Sequence, residues 1–399
     1  MKRLPFAFYN LVQIAFLFVH YPTTRRFPRI LSFACLLALL VYCHAEYSLH
    51  SPGEDYVLGC SNGILLLAAA HMTFICPDFP NGLQWTGPTT REGSDPGRLP
   101  FAQKLSWMVE LASDARRIGS SRRGGAVNDI GAAVGVDKRD AANSSARHRF
   151  VISRVMLSVL CLAMFQLTLL YRLRSPSFNG ALHDGGAHDG RFIRARSSLL
   201  ARFLDVVLWA AGTVSEMCFL QTAAAALAVG VGASEAEEWP PMFGSPIRAY
   251  TVRRFWSKTW HQILRVPLES SGAHVARDGL KLEKGTAVFM IVQSMTAFFL
   301  SALVHTGGDY AIHRSFRMSG PTFRFFLLQP VAFLIEAIAI RGARSSSGLV
   351  PGWVWRAMGY LWVGVWFSWC APPWLDAISA GGGNVRTKLI PLKLFEKLA

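Results

Sequence analysis

The sequence predicts an all-α, polytopic membrane protein with about eight transmembrane helices. Three observations carry that prediction. Of 399 residues, 51% are hydrophobic and only 17% are charged, a balance unlike that of an ordinary soluble domain. The apolar residues gather in runs of roughly twenty, the length a helix needs to cross a hydrocarbon core of about 30 Å. Lys and Arg collect between the runs and at their ends, where anionic headgroups and the positive-inside bias favour them.

Taken in order, the expected spans are Leu4 to His20, Ile30 to Ala45 and Tyr56 to Cys76. The first follows Met1-Lys2-Arg3 and has no small-residue cleavage site after it, so it reads as an uncleaved span. A Gly-, Ser-, Arg- and Asp-rich segment covers Pro77 to Arg149, and a span from Phe150 to Tyr171 follows, closed by Arg172 and Arg174. Leu199 to Val231 is apolar for longer than one upright crossing needs; it reads as an interfacial helix followed by a span, or as one tilted helix. After a second polar region, Trp239 to Lys284, come Ala287 to Tyr310, Phe323 to Ile340 and the Trp-rich Trp353 to Leu375. Loop charge does not set the orientation, because basic residues fall in three successive polar segments. No internal repeat is visible, which disfavours transporter folds built from duplicated halves.

Composition also excludes several classes. The net charge of +16 is spread over loops and span ends, without the continuous basic face and interleaved aromatics of a nucleic-acid-binding domain. The seven cysteines are scattered through apolar runs with no CxxC pair, so they read as small buried hydrophobes and not as a disulfide framework or metal site. His183-Asp184-Gly185-Gly186-Ala187-His188-Asp189 has metal-binding residue types but reads as a glycine-rich loop. Asn143-Ser144-Ser145 is a formal glycosylation sequon. His20, His44, His71 and His313 lie near span ends and read as interfacial, while Glu336 is an intramembrane carboxylate with no assignable partner.

The chemistry concentrates in two stretches. Taken as one helix, Arg248 to Arg265 places Arg253, Ser257, His261 and Arg265 on one face at i, i+4, i+8 spacing. Phe255 and Trp256 occupy another sector, with Trp260 four residues past Trp256, and Trp239-Pro240-Pro241 and Gly244-Ser245-Pro246 precede them as breakers. On composition alone this is an interfacial helix with an aromatic anchor and snorkelling cations. His305 sits near the end of an apolar run, where an ionisable side chain is either bonded to a neighbouring helix or functional. Asp309, one turn later, is placed to orient it as a base, and Gly307-Gly308 would let a backbone or ligand come close.

Two blocks carry a family resemblance. Met242-Phe243-Gly244-Ser245 through Tyr250, continuing into Arg254-Phe255-Trp256-Ser257-Lys258-Thr259-Trp260-His261-Gln262, resembles the signature of the wax-synthase-like branch of the membrane-bound O-acyltransferases, in particular its fungal members. Phe299-Leu300-Ser301-Ala302-Leu303-Val304-His305-Thr306-Gly307-Gly308-Asp309 resembles that family's second block. A third, weaker likeness covers Trp107 and Arg116-Arg117-Ile118-Gly119, with Arg117 where the family has Gly and Ser120-Ser121 where an aromatic follows. Ala302 stands where a Gly is expected, and His261 where plant members commonly carry Asn. His305-Thr306-Gly307-Gly308-Asp309 also spells the His-x-x-x-Asp of soluble plant-type acyltransferases, but their second element is missing here.

The resemblance implies transfer of an acyl group from acyl-CoA to a hydroxyl inside a tunnel through an endoplasmic reticulum membrane. His305 would be the general base and His261 a hydrogen-bonding helper at the thioester oxygen. Arg253, Lys258 and Arg265 would face the phosphates of CoA; Trp256, Trp260 and Asp309 would contact or orient the reactants. The fungal character implies acetyl-CoA as donor and a hydroxylated terpenoid or other secondary metabolite as acceptor, with no metal and no permanently bound cofactor. A fatty acyl-CoA:alcohol transferase, making wax or sterol esters, shares the same histidines. The rival from another class is a transporter or membrane scaffold in which His305 relays protons or packs. The implied organisation is 1–76 as first spans, 77–149 as a polar loop and 150–399 as a catalytic core with its signature near 239–310.

Overall fold

Apolar runs too long to leave their backbone amides unbonded in lipid have to become helices, and in a computed structural model of the chain they do. The structure describes residues 1–21, 26–76, 100–113, 144–175, 177–178, 192–194, 198–343 and 351–384. They fall into two compact units, Met1–Gly124 with Ile263–Pro330, and Gly125–Gln262 with Val331–Ala399.

In the first unit, α1 (Phe6–Val19) and α2 (Arg26–Glu46) pack with α3 (Pro52–Ala70) and α4 (Phe101–Ser113). Val12, Phe16, Val19, Leu36, Leu40, Ala69, Met72 and Met108 form their shared core. A two-residue parallel pairing, β1 (Lys2–Arg3) with β2 (Tyr47–Ser48), ties the N-terminus to the α2–α3 connection. The start of α3 is written in its sequence: Ser51-Pro52-Gly53-Glu54-Asp55 puts Pro at the first helical position and two carboxylates in the first turn. Asp55 accepts from Ser48 Oγ and from the Leu49 amide, each at 2.6 Å. α3 runs on as a π turn, His71–Ile75. α7 (Arg265–His274) and α8 (Ala287–His313) complete the unit with the first part of α9 (Gly320–Ala343). Thr286 caps α8 by accepting from the Phe289 amide at 3.2 Å.

α3 and α8 cross on glycine. A Cβ on Gly59 would lie 2.2 Å from the Gly307 carbonyl oxygen, and one on Gly63 would lie 2.7 Å from that of Val304. This is a Gly-x-x-x-Gly face meeting Gly307-Gly308, the arrangement that lets two membrane helices touch backbone to backbone. The glycine pair expected to admit a close neighbour does so, and the neighbour is α3.

In the second unit, α5 (Ser144–Arg174) and α6 (Leu199–Gly230) lie side by side, joined by Tyr171 Oη donating to Asp205 at 2.7 Å and Arg172 to the Trp209 carbonyl at 2.6 Å. α10 (Gly352–Cys370) packs on α6 and is followed by α11 (Pro372–Ala380). Asp376 of α11 is fully buried and accepts from the Ile193 amide and from Arg194 Nε, both at 2.7 Å.

Among the described residues, six helices are long and apolar enough to cross a membrane: Arg26–Glu46, Pro52–Ile75, Ser145–Arg174, Leu199–Gly230, Ala287–His313 and Phe316–Ala343. The remaining two expected spans correspond to the 14-residue α1 and the Trp-rich α10. The Leu199–Val231 run is one continuous helix of 32 residues, which decides between the two readings its length allowed. Two histidines expected at the interface are inside. His20 is 2% exposed, with its ring 4.6 Å from Phe16, and His71 is buried beside the Ser270 hydroxyl at 2.7 Å.

Candidate active site

The Arg248–Arg265 stretch is not one helix. It comprises a 3-10 turn at Pro246–Arg248, a single α turn at Val252–Arg254 and a π turn at Phe255–Thr259, and the chain then extends at Trp260 (φ −66°, ψ 157°). α7 starts anew at Arg265. The physical cause lies partly in Pro267, which has no N–H for the carbonyl four residues back and is tolerated only in a first turn. The rest comes from competition: the Gly244 amide donates to the Thr259 carbonyl at 2.9 Å and the Gln262 amide to Met242 at 3.2 Å. Met242–Gly244 thereby takes backbone groups that a helix would have used. A Cβ on Gly244 would lie 1.9 Å from the Lys258 oxygen, so only glycine permits this pairing.

The expected one-sided row of Arg253, Ser257, His261 and Arg265 therefore does not exist. Arg253 is exposed, and Arg265, in the first unit, is ion-paired to Glu269 at 2.9 Å. Lys258 stays in the π turn with Trp256. Trp256 and Trp260 do meet, with ring centres 6.1 Å apart, and join Phe255, Phe243 and Phe367 in one aromatic cluster. His261 stands at its edge, 5.5 Å from the Trp260 ring and 6.0 Å from Phe243. Buried Gln262 holds the bend by donating to the Trp260 carbonyl at 2.5 Å.

What anchors this segment could not be read from the sequence. Glu336, buried on α9, accepts from the Val252 amide, from the Arg253 amide at 3.1 Å and from Trp362 Nε1 at 2.9 Å. A carboxylate at the start of a helical turn satisfies amides that have no partner within it and complements their dipole. Thr251 adds a second cap by accepting from the Arg254 amide at 3.0 Å. The recipients of Glu336 are backbone groups far away in sequence, and no residue type announces them. The Thr251 cap was visible in principle, as a Thr just before a helical turn.

In the first unit, His305 lies on α8 one residue past Val304, which contacts Gly63 of α3. Its Nδ1 is 2.8 Å from the Ser301 carbonyl oxygen. A carbonyl only accepts, so Nδ1 carries the proton, and the neutral ring then presents Nε2 as its acceptor. Phe326 covers the imidazole at 4.6 Å. Asp309, the expected orienter, is fully buried and takes the Thr322 hydroxyl at 2.6 Å. The bond that fixes the His305 ring comes from its own helix. His305 and His261 belong to different units. Trp107 lies in α4; Arg116–Gly119, Asn143 and His183–Asp189 fall outside the described residues.

A known family matches these same stretches. The profile of the membrane bound O-acyl transferase family matches residues 239–328, which contain both histidine blocks. Acetyltransferase ple2 of Rhodocybe pseudopiperita is 36% identical over 49% of this chain and 51% of its own length. Acetyltransferase eriL of Hericium erinaceus is 38% identical over 44% of this chain and 45% of its own. The chain thus spans about half the length of these curated relatives. The O-Mevalon transferase yanI of Aspergillus niger matches more widely, at 27% identity over 90% of this chain and 82% of the relative. Family profile, fungal relatives and membrane-length helices point the same way: residues 239–328 match the membrane bound O-acyl transferase family, and the chain is similar to fungal acyltransferases over part of its length.

Proposed function

We propose that the protein is an acyl-CoA-dependent O-acyltransferase of the endoplasmic reticulum membrane, moving an acetyl group from acetyl-CoA to a hydroxyl of a terpenoid or other secondary metabolite. The observation that carries the chemistry is the Nδ1 bond of His305 to the Ser301 carbonyl. It leaves Nε2 as the acceptor that a general base needs. The acetyl donor is supported by the names of two relatives, which read acetyltransferase; the acceptor class rests on the family resemblance of the two histidine blocks.

In this reading His305 Nε2 takes the acceptor's proton as its oxygen attacks the thioester carbonyl. The carbon–sulfur bond then breaks, and the CoA sulfur leaves with that proton. His261 donates a hydrogen bond to the thioester oxygen while it carries negative charge. Trp256 and Trp260 wall the reactants off from water, Arg253, Lys258 and Arg265 attract the phosphates of the donor, and Asp309 supports the His305 segment. No group on the protein is acylated, and the acyl donor is a cosubstrate.

The test uses microsomes containing the full chain, labelled acetyl-CoA or palmitoyl-CoA, and an extract of hydroxylated metabolites. A labelled acetyl ester is the expected product, absent with His305→Ala at equal protein level. A labelled palmitoyl ester alone would assign a fatty acyl donor. Ester formed at the wild-type rate by His305→Ala, or by neither protein, would overturn the reading.

A further inference from the structure

Two guanidinium groups converge on one tyrosine in the second unit. Arg254 Cζ lies 4.4 Å from the centre of the Tyr250 ring and Arg356 Cζ lies 5.8 Å from it. Arg248 is two residues away in sequence, and its carbonyl accepts from Arg254 Nε at 3.0 Å. Among the described residues, no carboxylate forms an ion pair with Arg248, Arg254 or Arg356. Glu336, on the same unit, is committed to two backbone amides and an indole.

Like charges gathered at one ring repel, and a cation–π contact at an exposed site returns only about 0.5–1 kcal/mol. Loose surface arginines avoid this by spreading into water. These are held. The bond to Arg248 engages Arg254 through Nε and not through its terminal nitrogens. The Tyr250 carbonyl is pressed against α10 at Gly359, where a Cβ would come within 2.2 Å of it. Tyr360 Oη donates to the Ile247 carbonyl at 2.5 Å, fixing the turn from the other side. Tyr250 and the turn before it are thus braced against α10, with two planar cations at one ring and no counter-ion among the described residues. A pair of guanidinium forks beside a braced ring matches a phosphate ester, which accepts paired N–H bonds.

We propose that Arg254 and Arg356, with Tyr250 between them and Arg248 alongside, form a binding site for a phosphate ester. Within the acyltransferase reading, on which this part rests, the ester is the phosphate-bearing nucleotide end of the acyl donor and Tyr250 stacks beside its base. A phospholipid headgroup offers the same chemistry, so the test separates the two.

The full chain is reconstituted in nanodiscs of phosphatidylcholine, and binding of adenosine 3′,5′-bisphosphate is measured for wild type, Arg254→Gln/Arg356→Gln, Arg254→Lys and, as a control for bulk charge, Lys284→Gln. The double variant is expected to weaken binding by about tenfold or more, from the loss of two charged hydrogen-bonding groups. Arg254→Lys should recover part of it and Lys284→Gln should bind as wild type. Where acyl transfer is measurable, the double variant should raise KM for acetyl-CoA and leave the rate with acetyl-pantetheine, which lacks the nucleotide, unchanged. Nucleotide binding lost in the double variant without any acyl transfer would refute the enzyme reading and keep the site. No nucleotide binding, but enrichment of phosphatidic acid around wild type and not the double variant, would keep the site and assign it to lipid. Equal behaviour of wild type and double variant in both arms, or an equal loss with Lys284→Gln, would overturn the proposal.

Discussion

Glu336 accepts the backbone N–H of Val252, a residue 84 positions earlier, and so holds the segment that leads to His261 from a helix of membrane-spanning length. The same carboxylate takes the Arg253 amide and the Trp362 indole, so one buried acid joins the motif, α9 and α10. Buried carboxylates are rare in such helices because an unsatisfied one is costly; three donors explain this one.

Glu336→Ala should destabilise the protein by about 2–4 kcal/mol, since two amides and an indole lose their acceptor in a buried place. Glu336→Gln keeps one acceptor oxygen and should cost less than half of that. Thermal unfolding in detergent ranks the three proteins. Equal melting of wild type and Glu336→Ala would show that the cap contributes nothing.

Gly244→Ala should break the pairing of Met242–Gly244 with Thr259–Gln262, because the new Cβ would lie 1.9 Å from the Lys258 oxygen. A loss of about 2 kcal/mol or more is expected. Gly279→Ala is the matched control: nothing lies within 4 Å of a Cβ there, and its effect should stay within about 1 kcal/mol. Limited proteolysis around residue 260, compared between the two variants, reads the difference.

Gly59→Ala and Gly307→Ala should each force α3 and α8 apart, as their Cβ atoms would fall 2.2 and 2.5 Å from a carbonyl oxygen of the facing helix. Both should lower melting temperature and acyl transfer together. His305→Ala should lower acyl transfer alone. Parallel measurement of melting and ester formation separates geometry from chemistry at this position.

His261→Asn should retain more activity than His261→Ala if the side chain serves by donating a hydrogen bond. The expected order in kcat is wild type, then Asn, then Ala, by about 10-fold to 1000-fold overall. Equal losses in the two variants would leave His261 with a packing role at the edge of the aromatic cluster.

The helical content was legible because it rests on local features: apolar runs, the Ser51-Pro52 start of α3 and the Thr286 cap of α8. So was the close approach at Gly307-Gly308. The Arg248–Arg265 stretch misled because its periodicity suits a helix, while its backbone is claimed by Met242–Gly244 and interrupted by Pro267. Periodicity reports side-chain spacing and is blind to such competition. Asp309 was a reasonable orienter for His305 by spacing, yet Thr322 occupies it and the Ser301 carbonyl fixes the ring. Carbonyls belong to every residue and leave no mark in a sequence. Glu336 stood out as an anomaly, but its partners are amides and stayed hidden for the same reason.

The glycine crossing of α3 and α8 also has a mechanical meaning. Two helices in backbone contact meet at a hard stop, with no rotamers between them to take up slack. The height of His305 along α8 is therefore referenced to main chain one residue away, at Val304 against Gly63. Side-chain changes elsewhere in the unit can reshape the walls around the imidazole while its own coordinate stays calibrated. Relatives that differ in acceptor should then differ in wall residues such as Phe326, with this joint left as a fixed datum.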